Sequence, residues 1–168
     1  MKSIFKLFVA AFLTVAPLTA TAQSNVAHIN VQQLISEMPE VIAAQNELAK
    51  LEKDYTTQID NAFKEFQTKA QSYSADAANQ TDVTNQARQK ELESMQTNLQ
   101  EFRDSAAQEL QKKQMDLMTP LLEKARNAIT KVGEAQGFNY VIDSSPNGGI
   151  ILANGKDLLA DVKKELGF

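Results

Sequence analysis

The sequence contains no cysteine, no tryptophan and one histidine, and it has only six glycines and four prolines in 168 residues. Without cysteine the mature chain cannot form a disulfide or carry a cysteine-linked lipid. His28 has no cysteine or second histidine to complete a metal site or a catalytic triad, so a partly buried structural role is favoured for it. We therefore expect no metal ligands and no cofactor.

Residues that carry chemistry in other proteins are better explained here by turns. Asp143, Ser144 and Ser145 suggest a nucleophile with its partner, but no base is near them in the sequence and Asp and Ser commonly stabilise turns. The Asn-Gly pairs at 147–148 and 154–155 lack the strand–loop–helix spacing of a phosphate-binding loop. We therefore expect no catalytic residues, and we interpret the chain as a non-enzyme.

Long hydrophobic runs are absent except near the start of the chain. Lys2 and Lys6 begin a stretch whose almost uncharged apolar run is 7–18, and small residues follow it. This pattern predicts a secretory signal peptide, residues 1–22, cleaved after Ala22. The alternative is an uncleaved anchor, but the run is shorter than the roughly 20 residues that a spanning helix needs. We expect an exported mature protein with no stable membrane insertion.

Positive charge is scarce in the mature part of the chain. Without the leader, fifteen Lys and Arg residues stand against twenty-one Asp and Glu residues, a net charge of −6. Binding to the phosphates of nucleic acid calls for a basic face. We therefore expect no nucleic-acid partner.

Helix-forming residues dominate two long runs. The first, 39–73, has no glycine and only Pro39 at its start, and the second, 86–132, contains Pro120 as its one proline. Residues 74–85 between them are small, polar and rich in Asn, Asp and Thr, which is typical of a helix end followed by a new N-cap. The sequence predicts two long helices joined by a short tip.

Apolar residues in both runs recur in steps of three and four, the spacing of a coiled-coil seam. When the second run is folded back on the first, Phe66 faces Leu92 and Tyr55 faces Phe102, and the fold is centred on Asn79. We therefore predict an antiparallel helical hairpin over 39–132. Its predicted seam consists of Leu48, Leu51, Tyr55, Ile59, Phe63, Phe66, Leu92, Met95, Leu99, Phe102 and Leu110.

The length of the hairpin predicts that it projects as an arm. At about 1.5 Å per residue, its first helix is on the order of 50 Å long. Residues 69–89, near the tip, include few large apolar side chains and are expected to fray, because packing supplies most of the stability of a helix. Pro120 is expected to bend the second helix where the arm meets its base.

The two ends of the chain, 23–38 and 133–168, predict a small β-rich base. Strands are predicted at 26–31, 138–143 and 150–153, the last after an Asn-Gly hairpin turn, and a short helix is predicted at 157–166. The last two strands are apolar on both faces, which one small helix cannot cover. We therefore infer that the base self-associates.

The ends also carry a resemblance to a known family. VAHINVQQLI after a signal peptide, a long helical middle and then GFNYVIDSSPNGGIILANGKDLLADVKKEL resemble the Skp/OmpH family of periplasmic chaperones. The resemblance implies a mainly α, α+β fold in which strands of three chains form a small barrel and three arms surround a cavity. Unfolded outer-membrane β-barrel proteins would be held there without ATP. The implied residues of the trimer body are Val26, Ile29, Val31, Tyr140, Val141, Ile142, Ile150, Ile151 and Leu152.

The charge of the arm departs from the family's best-known members, whose arms are strongly basic. Residues 64–113 contain seven Lys and Arg and eight Asp and Glu, so electrostatic steering of an acidic client is expected to be weak. Client contact is then expected to be hydrophobic. The residues expected to provide it are Phe63, Phe66, Tyr73, Met95 and Phe102. The alternative function is a structural adaptor or spacer that binds one folded partner through the arm tips.

Overall fold

The computed structural model describes residues 25–168, and the predicted signal peptide, residues 1–22, lies outside the described residues. In chain order the elements are β1 (Val26–Ile29), α1 (Val31–Glu37), α2 (Pro39–Asp76), a 3₁₀ turn (Ala77–Asn79), α3 (Asp82–Ala135), β2 (Tyr140–Asp143), β3 (Lys156–Asp157) and α4 (Leu159–Leu166). The two long helices dominate, so the fold is mainly α with a small sheet, as the sequence predicts. None of the helices within 25–168 is both long and apolar enough to cross a membrane.

The predicted antiparallel hairpin is confirmed. The turn between α2 and α3 lies at Ala77–Asn79, where the seam pattern placed it. The Thr81 hydroxyl caps α3 by accepting a hydrogen bond from the Thr84 N–H at 3.2 Å. The rings of Tyr55 and Phe102 meet edge to face with their centroids 6.1 Å apart, in the predicted register. Both helices are a few residues longer than predicted, and Pro120 lies inside α3, where its bend stays a prediction.

The base contains a parallel sheet with the strand order β2-β1-β3. Val26 is aligned with Tyr140 in this sheet, and His28 is aligned with Ile142. Side chains alternate across a strand, so Ala27 and Ile29 share the inner face and are buried. The sheet therefore has one face packed on the protomer's own core and one face turned outward.

Two predictions about the base are wrong. Residues 150–153 form an irregular segment rather than a strand, and the third strand is Lys156–Asp157. The predicted Asn-Gly hairpin is also absent, because β2 and β3 both run parallel to β1 and lie on opposite sides of it. Parallel strands need a crossover connection, and residues 144–155 supply it.

The core lies where α1, α4 and the root of the arm close over the inner face of the sheet. The largest fully buried side chains are Ile29, Leu34, Met38, Val41, Leu158 and Val162. Small residues let α3 approach closely, since a Cβ at Gly133 would lie 2.8 Å from Cγ2 of Val141. The chain continues from β1 directly into α1 because the Asn30 side chain accepts a hydrogen bond from the Gln33 N–H at 2.9 Å.

Candidate functional site

The seam of the arm is only partly covered within one protomer. Of the predicted seam residues, Leu99 is buried, most others are half-buried, and Phe63 is 40% exposed. Two helices can shield only one stripe of each other, so apolar surface remains along the flanks of the hairpin. The arm therefore presents hydrophobic side chains that a second molecule can reach.

One opening on the arm lies between its middle and its tip and has two phenylalanine rings on one wall, and we name it the aromatic groove. It is a cleft of about 460 Å³ lined by Phe63, Phe66, Gln96, Thr97, Leu99, Gln100, Glu101 and Arg103. Phe63 and Phe66 occupy adjacent turns of α2, and their rings stack with centroids 6.5 Å apart and planes 22° apart. This geometry gives the groove an aromatic wall on α2 and a mainly polar wall on α3.

The five residues predicted to contact a client do not form one surface. Phe63 and Phe66 lie together in the aromatic groove, whereas Phe102 packs against Tyr55 nearer the root. Tyr73 lies at the tip, and Met95 is half-buried on α3. Of these five residues, the structure therefore brings only Phe63 and Phe66 together as lining of the aromatic groove.

Polar cross-links fasten the two helices on the root side of the groove. The carboxylate of Glu40 accepts a hydrogen bond from Lys124, and Lys113 pairs with Glu47 at 2.8 Å. The Tyr55 hydroxyl donates to Glu109. These contacts lie on exposed surface, where water screens ion pairs and their contribution to stability is small.

A second set of polar contacts, the tip clasp, fastens the helices on the far side of the groove. Glu91 accepts hydrogen bonds from the Lys69 ammonium and the Tyr73 hydroxyl, both at 2.6 Å. The Arg88 guanidinium lies 4.7 Å from the centre of the Tyr73 ring and bonds the Asp76 carboxylate at 3.1 Å. The sequence predicts fraying here because apolar residues are few. The tip clasp was not predicted, although the predicted register brings Lys69 and Glu91 opposite each other.

The tip clasp makes the stability of the arm tip depend on pH. The hydrogen bond from Lys69, followed by that from Tyr73, holds the pKa of Glu91 below its ordinary value, so folding favours the ionised carboxylate. The stabilisation from a carboxylate with a lowered pKa is fully present above the unfolded pKa of about 4.3 and is lost as the pH falls through the folded pKa. The tip should therefore loosen at acid pH below that point.

We expect Glu91→Gln to increase amide hydrogen exchange at the tip, because the neutral amide cannot hold Lys69 as an ion pair. Protection factors across 69–91 should fall at neutral pH and keep a weaker acid dependence, because Asp76, whose pKa is lowered by the hydrogen bond from Arg88, still titrates. Glu93→Gln is the matched control, since the Glu93 carboxylate accepts a hydrogen bond only from Gln89 of its own helix among the described contacts. Equal protection in the two variants would contradict a role for the clasp.

Between the root-side cross-links and the tip clasp the helices are joined without polar bridges. Between Tyr55 and Lys69, over about 20 Å of helix, no side chain of α2 makes a hydrogen bond or ion pair with α3 among the described residues. The aromatic groove lies in this stretch. Its walls are therefore held by apolar packing and by the fastenings at either end.

The base has its own exposed apolar surface, which we name the outer apolar surface. Its members are Tyr140, Ile142, Ile150, Ile151 and Leu152, and their exposures run from 37% at Ile142 to 102% at Ile151. Of the other predicted body residues, Ile29 is buried in the core and Val31 and Val141 are half-buried, whereas the half-buried Val26 lies on the outer face of β1, aligned with Tyr140. The nine predicted residues therefore divide into an internal group and an outward-facing group.

The structure places a histidine beside one of the serines, which corrects the expectation that no base is at hand. Nδ1 of His28 lies 3.1 Å from the hydroxyl of Ser144. Asp143 does not complete a triad, because its Oδ1 accepts hydrogen bonds from the Ser145 hydroxyl at 2.5 Å and the Ser145 N–H at 2.9 Å. The parallel pairing of β1 with β2 brings these residues together, and the sequence alone does not show that pairing.

Asp143 and Ser145 have the turn-stabilising role predicted for them. Ser145 is buried, and its hydroxyl oxygen accepts a hydrogen bond from the Gln32 N–H at 3.0 Å, at the start of α1. Burial raises the pKa of Asp143, but the hydrogen bonds from Ser145 and from the Val31 N–H together lower it further than burial raises it. Within residues 25–168 there is no group of three His, Cys, Asp or Glu side chains placed to hold a metal ion.

The fold defines the class of this protein: a helical-hairpin arm stands on a small parallel sheet. Apolar side chains are exposed on the arm and on the base. Residues 25–166 match the family described as Outer membrane protein (OmpH-like). The chain belongs to this family, which confirms the resemblance seen at its two ends. One similar protein is the Chaperone protein Skp of Yersinia enterocolitica, 25% identical over 159 residues, which span 92% of this chain and 93% of that protein.

Proposed function

We propose that the chain is an ATP-independent holding chaperone of the periplasm, which keeps unfolded outer-membrane β-barrel proteins from aggregating. The aromatic groove is the observation that carries this proposal, because it exposes large apolar side chains on a projecting arm. The groove lies on the surface of the arm and is not an enclosed pocket, so it suits a client without a fixed shape. The similarity to a chaperone over most of the chain supports the same function.

The proposed working unit is a homotrimer joined through the base, with a cavity between the three arms. In support, the outer apolar surface is exposed in the single protomer, and a sheet of three strands, one of them only two residues long, needs further packing to be stable. Residues 144–155, which contain Ile150, Ile151 and Leu152, include no charged side chain. Burial of these side chains against another copy stabilises the assembly by about 25 cal/mol for each Å² of apolar surface that it removes from water.

Dilution of a urea-unfolded outer-membrane barrel protein into buffer tests the holding function. With one trimer for each client chain, we expect the client to stay in the supernatant and light scattering by aggregates to be suppressed. An equal mass of an unrelated soluble protein is the control. Precipitation of the client in the presence of a correctly folded chain would reject the proposal.

An adaptor that binds one folded partner is a second candidate, favoured by the shape of the tip. The tip clasp gives the tip a defined surface, and Val83 there is 77% exposed. Affinity capture separates the two functions: a chaperone retains many unfolded clients, whereas an adaptor retains one native partner. Val83→Asp should abolish capture by an adaptor and leave holding by a chaperone unchanged.

A further inference from the structure

We propose that the aromatic groove binds one extended strand of the client, with two successive apolar side chains from the same face of that strand seated on Phe63 and Phe66. This inference rests on the proposed holding function and specifies the client segment that the arm recognises. The segment is extended, uncharged and alternately apolar and polar. Strands of outer-membrane barrels have this pattern, about ten residues of alternating hydrophobicity.

The spacing of the two rings matches an extended strand. The centroids of Phe63 and Phe66 are 6.5 Å apart. Side chains on the same face of a strand repeat every second residue, about 6.6–6.8 Å at a rise of 3.3–3.4 Å per residue. In a helical segment, side chains on one face are three or four residues apart and diverge around a cylinder. A helix therefore matches the spacing of the two rings less well than a strand does.

The opposite wall of the groove offers hydrogen-bonding groups at a similar repeat. Gln96 and Gln100 are one helical turn apart on α3, which is about 6 Å along the axis. Each side-chain amide both donates and accepts, so it can pair with the N–H and C=O groups of any extended backbone. Among the described contacts Gln96 has no side-chain hydrogen bond, and Gln100 bonds only Asp104, an exposed residue of its own helix, at 3.0 Å.

The charge of the groove selects an uncharged segment. Its lining contains one acid and one base, Glu101 and Arg103, so it has no net charge. A second cleft nearer the root is lined by nine residues, of which seven are charged: Glu47, Lys50, Asp54, Glu109, Lys112, Lys113 and Asp116. An apolar strand seated there would remove water from those charges, which is costly. The aromatic groove therefore fits the apolar segment better than the root-side cleft does.

The polar fastenings at either end keep the groove in shape. The root-side cross-links and the tip clasp hold α2 and α3 together beyond the groove, while the groove itself contains no polar bridge between the helices among the described residues. A strand can therefore enter from the flank without breaking an ion pair. The same arrangement leaves the seam packing of Leu99 undisturbed, since Leu99 is already buried.

Binding of a labelled ten-residue peptide to the full mature protein tests the inference by fluorescence anisotropy. One peptide alternates Val or Leu with Ser or Thr, and the other contains the same residues with the alternation broken. We expect the alternating peptide to bind about tenfold more tightly, and Phe63→Ala to remove about that factor. The double variant Gln96→Glu with Gln100→Glu should also weaken the alternating peptide about tenfold, because it places two carboxylates on the wall.

Matched controls lie elsewhere on the same arm. Met115→Ala truncates a side chain that is 60% exposed outside the groove, and Gln108→Glu with Gln111→Glu adds two carboxylates to α3 away from the groove. Both controls should bind the alternating peptide as the unmodified protein does, with unchanged circular dichroism in all variants. Equal binding of the two peptides, or full binding by Phe63→Ala, would overturn the inference.

The client-holding assay, run beside the peptide-binding assay, distinguishes failure of the proposed function from failure of the groove inference. If the unmodified protein fails to hold an unfolded barrel protein, the proposed function fails. If it holds the client while the groove variants bind the alternating peptide unchanged, only the groove inference fails.

Discussion

Leu34→Ala should lower the free energy of unfolding of the mature protein by about 2–5 kcal/mol, the range for truncating a buried leucine. Leu34 is 0% exposed and packs in the core between the sheet and the root of the arm. Its removal leaves a cavity that the surrounding strands and helices cannot fill without moving. Because the base is small, this core provides most of its cohesion, and a cavity there is a large fraction of typical domain stability.

Urea unfolding followed by circular dichroism measures this effect at fixed protein concentration. Leu122→Ala is the matched control, since Leu122 lies at the root of the arm but is 45% exposed. The control should lose much less stability, because little packing is removed. Equal losses in the two variants would show that the core is not organised around Leu34.

Ile151→Asp should reduce the mass of the particle in solution about threefold while the protomer stays folded. Ile151 is fully exposed in the protomer, so the substitution removes no contact within the chain. In the proposed trimer the same side chain is buried against another copy, and an unpaired buried carboxylate is strongly unfavourable.

Light scattering during gel filtration gives the mass, and circular dichroism checks the helix content. Val83→Asp is the control, because it adds the same charge at an exposed apolar position on the tip, far from the base in the chain. The trimer should survive this control. An unchanged mass for Ile151→Asp would contradict assembly through the outer apolar surface.

The arm was predictable because a coiled-coil seam is a local pattern. Steps of three and four residues determine which face of each helix is apolar, and a short polar segment between two such runs fixes the point of return. The pairing of Tyr55 with Phe102 and the turn at Ala77–Asn79 follow directly from that pattern. The tip clasp was not predicted, since it depends on how Tyr73, Arg88 and Glu91 are oriented after the helices meet.

The base was less predictable because strand pairing is not local. Ile150 and Ile151 are β-branched and have strand propensity, but β1 is already paired on both sides, by β2 and by β3. The contact of His28 with Ser144 arises from the same pairing, across 116 positions of sequence. Propensity thus identified an apolar segment correctly and assigned it the wrong structure within the protomer.

The candidate site was predicted in kind but not in detail. The seam pattern singled out Phe63 and Phe66 as apolar positions on α2, and their residual exposure follows from a hairpin of only two helices. The groove beside them also depends on the amides of α3, whose place opposite the rings requires the three-dimensional register. Side-chain spacing across the groove, on which the strand-binding inference rests, is therefore a property of the folded arm.

The most direct test of the account is the mass of the complex formed with an unfolded client, measured by light scattering during gel filtration. The account predicts a soluble particle with the mass of three chains and one barrel protein, eluting ahead of the free trimer. A client that precipitates or elutes alone, beside a trimer of unchanged mass, would contradict it.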